Sequence, residues 1–423
     1  MHKYYSVPIG KTVRHLAKLR GGGSAMPGLV IEKIDPDFVR RTLAQLPRGC
    51  IVVTGSNGKT TTTKMVVELL ESQDLKVFTN RTGSNFSRGV AAALLGEIDS
   101  TGNLAADIAV LELDEAHGVH FVETIQPDYV LLLNVMRDQL DRFGEIDTIA
   151  KLVTKIASKA AKGIILNRDD PRLRSIDVGL PTRTFGTHPD LQKLFPSDDD
   201  LHSASPTSHS SIAPQKNDVS LEKLDGQKAT IAYNGKRVEV NLKITGIYNV
   251  LNAVAAFTLC QTVMGDGFNE QVVLEKLQSI TPAFGRGESF VIDNQLLEIV
   301  LVKNPAGFRL SLASFPSEGH KTMIAINDNY ADGRDMSWLW DVDFSGLQSS
   351  EVAMLSGVRA FEMALRLQYD EVPITNVNTR LISALRQFIS SNPDHPKRIF
   401  CTYTAMLALR REIAKLTKVD TVS

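Results

Sequence analysis

A branched apolar run, Ile51-Val52-Val53, passes through Thr54 into Gly55-Ser56-Asn57-Gly58, then Lys59, then four threonines in a row. No other stretch restricts the fold as tightly. A short buried strand must feed a tight turn, and the turn must feed a helix that starts near Lys59. Gly55 and Gly58 let the backbone turn and aim its N–H groups inward, while the helix adds the positive end of its dipole. Lys59 brings a mobile charge for outer phosphates, and Thr60 a hydroxyl for Mg²⁺. The segment Gly55, Ser56, Asn57, Gly58, Lys59, Thr60 and Thr61 therefore reads as a polyphosphate cradle. Position 53 is Val where the usual P-loop has Gly, so the loop is a shortened variant.

With 423 residues the chain is expected to form two or three domains. The net charge of −1 gives no reason to invoke nucleic acid. No 18-residue apolar span stands out, and the first twenty residues are basic without an apolar core. A soluble cytoplasmic protein without a transmembrane segment is the expectation. Cys50, Cys260 and Cys401 are far apart. They form neither a metal knuckle nor a disulfide framework, and each reads as a buried apolar side chain.

Between Val52 and Asn167 short branched runs alternate with helical stretches. Strands are expected at 51–53, 77–78, 108–113, 129–133 and 164–166, with helices such as 64–72 and 149–162. That alternation predicts an α/β fold, a parallel sheet with helices on both faces. Ligands in such sheets bind beyond the carboxyl ends of the strands. One site should therefore gather the glycine turn and the ends of the strands at 108–113 and 129–133. A polar, serine-rich excursion covers about 195–220. A hairpin about Asn234-Gly235 and a helix from about Asn249 to Thr262 follow. Later strands are expected at 297–302 and 322–326, and a last helix at 403–416. The expected domains are an N-terminal segment (1–48), a central nucleotide-binding domain (49–290) and a smaller C-terminal α/β domain (291–423).

These motifs together resemble the Mur ligase family. The carrying segments are the Gly55–Thr61 loop, Asp107-Ile-Ala-Val-Leu-Glu112, Asn134-x-x-x-Asp138-Gln139-Leu140-Asp141-Arg142, and Gly246-Ile-Tyr248-Asn249-Val-Leu-Asn252. Within the family the chain is similar to the MurT-type branch. Its hallmarks are Arg20–Gly28, Thr79-Asn80-Arg81-Thr82-Gly83-Ser84-Asn85, Lys303-Asn304-Pro305, and Asp332-Gly-Arg334-Asp335-Met-Ser337-Trp338-Leu-Trp340-Asp341. The resemblance implies a Mur-ligase-like central P-loop domain and an ATP- and Mg²⁺-dependent carbon–nitrogen ligase. It would amidate the D-glutamate α-carboxyl of the lipid II stem peptide through an acyl phosphate, at the inner face of the cell membrane. Ammonia would come from a GatD-type glutaminase partner in a heterodimer. Gln139 stands where amino-acid-adding relatives carry a metal-binding histidine. Relatives also insert a four-cysteine ribbon near 195–220, which this chain lacks, so no zinc is expected.

The same resemblance distributes roles. Glu112 and Thr60 would hold the metal. Asn249 and Asn252, one helical turn apart, would meet adenine, the other reading being an N-cap pair. Arg286 would reach the γ-phosphate or pair with Glu288. Arg81, Thr82, Gly83, Ser84 and Asn85 would form a polar substrate loop with Arg81 on an anion. Lys303 would approach the acyl phosphate or remain a solvated turn lysine. Lys151 and Lys155 both lie where some relatives carry a carbamylated lysine and nothing chooses between them, an exposed helix lysine being the expected state of each. An acid is expected to complete the partner's Cys-His-Asp triad, with Asp335 ahead of Asp332 and Asp341. Trp338 and Trp340 are expected to alternate along a strand and face one side. The competing functions are a Mur or folylpolyglutamate-type ligase acting without a partner, and a non-catalytic nucleotide-binding scaffold.

Overall fold

The computed structural model describes residues 3–19, 26–80, 87–137, 146–197, 199, 218–244, 246–281, 286–315 and 317–417. The described residues form two compact units. The first holds those up to Val135, those between Asp147 and Ile244, and Asn249–Ile280; the second holds the remainder.

The first unit is organised by nine strands: β1 (Cys50–Thr54), β2 (Val77–Thr79), β3 (Ile108–Glu112), β4 (Tyr129–Leu132), β5 (Gly163–Asn167), β6 (Thr182–Thr187), β7 (Val219–Asp225), β8 (Lys228–Tyr233) and β9 (Lys236–Asn241). Their spatial order is β2-β3-β1-β4-β5-β6-β7-β8-β9. Pairing is parallel from β2 to β7 and antiparallel through the β7-β8-β9 meander. Every residue of β1, β3 and β5 is buried, which is what branched apolar strands covered on both faces require. The expected α/β class with a parallel sheet is therefore observed. The hairpin turns at Asn234 and Gly235, both at positive φ, as an Asn-Gly turn between strands demands.

N-terminal helices Lys3–Leu19 and Met26–Ile34 pack with helix Ser87–Glu97. Contact at Gly28 is so close that a Cβ there would fall 1.9 Å from the Arg88 carbonyl oxygen.

The second unit carries β10 (Arg286–Ile292), β11 (Gln295–Leu301), β12 (Lys321–Ala325), β13 (Met354–Ser356), β14 (Val377–Asn378) and β15 (Lys397–Cys401), ordered β10-β11-β15-β12-β13-β14. Only β10–β11 is antiparallel. Successive residues alternate between two cores. Ile324 and Phe400 join Phe308 on one face, while Met323, Ile399 and Cys401 join Leu385 and Met406 on the other. The units divide after Ile280, ahead of the expected boundary at 290/291, because β10 is locked to β11 in one hairpin.

Four sequence expectations need correction. Trp338 and Trp340 lie on a 3-10 helix, Ser337–Asp341, and not on a strand. At about three residues per turn, positions two apart diverge. Trp338 is buried against Phe308, whereas Trp340 is 41% exposed and meets Tyr369 edge-on. The polar excursion is narrower than 195–220, since Phe195 is buried and β7 starts at Val219; residues 200–217 lie outside the described part. The helix expected from Asn249 starts at Ile247, which rules out the N-cap reading of Asn249 and Asn252. That same helix is, by length and composition, apolar enough to cross a membrane, contrary to the expectation that no 18-residue apolar span stands out. Its residues from Val250 to Gln261 are buried inside the protein, as befits a core helix.

Phe308 is fully buried, with ring centroids 5.1 Å from Phe344 and 5.5 Å from Phe400. Phe308→Ala should cost about 3–5 kcal/mol of second-unit stability. Phe361→Ala, at an exposed position, should change it by about 0.5 kcal/mol or less. Urea unfolding followed by tryptophan fluorescence compares the two.

Candidate functional site

Strand register builds the site. Strand β1 lies between β3 and β4, with Val53 opposite Glu112 and Thr54 opposite Leu132. All three strands run the same way, so the glycine turn, the end of β3 and the residues after β4 emerge together at one edge. These are the segments the sequence expects to meet, and the structure brings them together.

Gly58 caps helix Lys59–Glu71 at φ +86°, and its carbonyl accepts from Thr62 N at 2.9 Å. Gly55 sits at φ +128°. Both positions disfavour a side chain. A Cβ on Gly55 would lie 2.9 Å from the Asn134 backbone, and one on Gly58 would lie 2.6 Å from Asn252 Oδ1. Asn252 thus sits against the loop, and its Nδ2 donates to Asn249 Oδ1 at 3.5 Å.

Thr60 Oγ1 donates to Glu112 Oε1 at 2.9 Å. Glu112 is largely buried, and its backbone is held by Asn80, whose Oδ1 accepts from Glu112 N at 3.0 Å while Nδ2 donates to Glu112 O at 2.8 Å. Lys59 is 7% exposed. Its ammonium donates to the Gly55 carbonyl at 2.5 Å and lies 3.6 Å from buried Glu115. Asp114 caps the next helix instead, accepting from His117 N at 2.7 Å and lying 2.8 Å from its ring Nδ1. Among the described residues no group of three or more His, Cys, Asp or Glu could hold a metal. A hydroxyl and one carboxylate, both hard oxygen donors, do suit Mg²⁺, which keeps waters and takes phosphate oxygens as its other ligands.

Three further side chains matter here: Asn134 and Asn80 stand in motifs that carry the family resemblance, and Glu115, beside Asp114, reads from the sequence as an acid that shapes the loop or acts through water. Asn134, Asn80 and Glu115 all touch the loop or Glu112. The signals were those motifs and position: each directly follows, or nearly follows, a branched strand whose end faces the loop.

Other expected residues fall elsewhere. Arg81, Thr82, Gly83, Ser84 and Asn85 lie outside the described residues, as do Asp138, Gln139, Asp141 and Arg142. Arg286 opens β10, but its side chain is outside the described part. Glu288 pairs with Arg410. Lys151 and Lys155 are both exposed on helix Ile146–Ala157, and Lys155 donates to Glu123 Oε1 at 2.6 Å.

In the second unit, half-buried Lys303 immediately precedes Asn304, which caps helix Pro305–Ser314 by accepting from Gly307 N at 2.7 Å. Of the three candidate acids, Asp332 is buried. Its carboxylate takes the Thr404 N–H at 2.7 Å, the Thr404 hydroxyl at 2.5 Å and the Asn329 N–H at 3.0 Å. Burial raises its pKa above the ordinary carboxylate value. Asp335 is partly exposed, and hydrogen bonds from the Ser337 side chain and backbone lower its pKa. Asp341 is exposed, and its backbone carbonyl accepts from Arg309.

The chain matches the Mur ligase middle domain over residues 53–260 and the MurT ligase C-terminal domain over residues 301–406. It is 29% identical to the Staphylococcus aureus (strain COL) protein named lipid II isoglutaminyl synthase (glutamine-hydrolyzing) subunit MurT, covering 88% of this chain and 89% of that one. Against the Streptococcus pneumoniae protein of the same name the identity is again 29%, covering 96% and 95%. The chain belongs to the Mur ligase family. Solved Mur ligases share the fold. The MurF ligase from Thermotoga maritima in complex with ADP superimposes with a TM-score of 0.66 at 18% identity, over 92% of this chain and 83% of that one. A pseudomurein peptide ligase type C from Methanothermus fervidus gives 0.68 at 17%, over 90% and 81%.

The crowding at Gly58 yields a test against Gly235, which is also at positive φ (+76°) but has open space around it. Gly235→Ala should cost about 1–2 kcal/mol from backbone strain alone. Gly58→Ala should cost about 1–3 kcal/mol more, because Asn252 must move. Only the second should also weaken nucleotide binding; chemical denaturation and titration with a fluorescent ATP analogue read the two effects.

Proposed function

We propose that this chain is the ATP-consuming subunit of an amidating ligase. It converts the D-glutamate α-carboxyl of the lipid II stem peptide to the amide, acting at the inner face of the cell membrane. A GatD-type glutaminase supplies the ammonia. The observation that carries this reading is the Lys59–Thr60–Glu112 cluster on the glycine turn, in a chain whose C-terminal region matches the MurT ligase domain.

The chemistry needs a poor electrophile made reactive. The carboxylate attacks the γ-phosphorus of ATP, the bond to ADP breaks, and an acyl phosphate results. Ammonia then attacks the acyl carbon, the C–O bond to phosphate breaks, and one ammonia proton is lost to solvent. Lys59, held near the turn by Gly55 O and Glu115, is placed to neutralise charge on the transferring phosphoryl group. Thr60 and Glu112 would hold Mg²⁺. When bound, that ion would spread the charge of the phosphate oxygens. Asn249 and Asn252, side by side at the turn, offer amide donors and acceptors suited to adenine. Lys303, Arg286 and the loop 81–85 are assigned to the acyl phosphate, the γ-phosphate and the substrate anion by the family resemblance.

Asp335 is the acid we assign to the partner's histidine. Asp335 is partly exposed, whereas Asp332 is buried with its oxygens taken up by Thr404 and Asn329. A nearby surface supports a partner. Helix Ala360–Tyr369 presents Phe361, Leu365 and Tyr369 at successive turns, 70%, 49% and 71% exposed, and Trp340 abuts Tyr369. Beside that helix runs a groove of about 510 Å³ lined by Phe361, Ala364, Leu365, Gln368, Val372 and Ile374. Exposed aromatic and aliphatic side chains grouped beside a groove are the kind of surface that protein partners cover.

Mass spectrometry of lipid II incubated with ATP, glutamine and the co-expressed complex should show hydroxyl replaced by amine on the stem peptide. Lys59→Ala should lower that rate by about a hundredfold or more. Amidation at the unmodified rate would reject the proposal. Separately, Asp335→Asn should abolish glutamine hydrolysis yet leave amidation from added ammonium intact. A glutaminase rate equal to that of the unmodified complex would reject the triad assignment.

A further inference from the structure

One hydrogen-bond pattern occurs twice at the phosphate-facing edge of the first sheet. Asn134, just past β4, accepts from Asn57 N through Oδ1 at 2.8 Å and donates to Asn57 O through Nδ2 at 3.0 Å. Asn80, just past β2, does the same to Glu112, at 3.0 and 2.8 Å. In both cases the side-chain amide engages the N–H and the C=O of a single residue. A residue of an antiparallel neighbouring strand makes the same double contact through its own N–H and C=O, so each side-chain amide stands in for one such pairing after the backbone has left the sheet.

The two clamped residues are the ones whose position matters. Asn57 is the apex of the glycine turn, and the Asn134 backbone carbonyl also takes Ser56 N at 3.0 Å. Glu112 carries the carboxylate that receives Thr60 Oγ1. Loop backbones otherwise move more readily than the strands that carry them. The Val135 N–H is in turn held by Asp170 at 2.6 Å, which ties the first clamp to the end of β5.

We infer that Asn134 and Asn80 are positioning residues with separate duties: Asn134 shapes the loop that receives the phosphates, and Asn80 aims the Glu112 carboxylate at the cation. This inference rests on the phosphate-cradle reading of the loop given above. Substitution by Asp is informative because it keeps the acceptor and replaces the donor by an oxygen facing a carbonyl.

The test is titration of the full chain with a fluorescent ATP analogue, with and without Mg²⁺, beside melting curves. For Asn134→Asp, affinity without Mg²⁺ should fall by about tenfold or more. For Asn80→Asp, affinity without Mg²⁺ should change by about threefold or less, while the half-saturating Mg²⁺ concentration rises by about fivefold or more. Asn134→Ala and Asn80→Ala are read the same way should an Asp variant fail to fold. The assignment is overturned if the variants bind like the unmodified chain, or if both readouts move together in step with lost thermal stability. It is also overturned, together with the cradle reading, if the unmodified chain binds no nucleotide. An unmodified chain that binds nucleotide but never amidates would sink the proposed reaction and leave the clamps standing.

Discussion

The site depends on the parallel pairing of β1 with β3 and β4. Because Val53 faces Glu112 across one ladder and Thr54 faces Leu132 across the other, three loops leave the sheet at the same level. A one-residue slip would turn every side chain of the displaced strand to the opposite face. The register is protected by burial, since Ile51, Val52, Val53 and their neighbours on β3 and β4 have essentially no exposure. Hydrophobic burial, spread over the whole sheet, thereby fixes the relative position of a few polar atoms at its edge.

Those polar atoms carry charge in a nearly dry setting, and the structure compensates it locally. A buried ammonium without partners is costly, and Lys59 meets that cost with two loop carbonyls and Glu115. A polyphosphate entering the turn would offer the same ammonium a stronger partner, and Glu115 would then sit within reach of the lysine it had balanced. This gives Glu115 a reason to be acidic that needs no metal. The neighbouring Asp114, spent on a helix cap and His117, has a different reason.

Much of this was legible in the sequence because it rests on strong local signals. Branched runs at 51–53, 108–113 and 164–166 have no stable alternative to buried strands, and Asn234-Gly235 fixes a hairpin wherever two such runs flank it. The features that were missed are set by interactions invisible to periodicity. Alternating Trp338 and Trp340 read as a strand, yet Asp335 accepts from Ser337 N at 2.9 Å and winds the chain into a 3-10 turn. Asn80 and Asn134 stand in recognisable motifs, but their clamps were hidden, because their partners lie 32 and 77 positions away.

The second unit shows the opposite economy of charge and apolar surface. Two of its buried arginines are matched by acids, Arg398 by Glu298 and Arg410 by Glu288. Apolar side chains are left outside on helix Ala360–Tyr369 instead. That surface is held in place from beneath. Buried Arg366 donates to the Val342 carbonyl at 2.5 Å, pairs with Asp370 at 2.7 Å, and stacks its guanidinium within 5.7 Å of Trp340 and 5.4 Å of Phe344. One cation thus joins the helix bearing Tyr369 to the 3-10 turn bearing Trp340, the turn that Asp335 begins. A platform fixed in advance loses little side-chain freedom when covered, and such pre-organisation favours association more than added area does. The aromatic surface and the 3-10 turn beneath it are therefore held together by a single buried guanidinium.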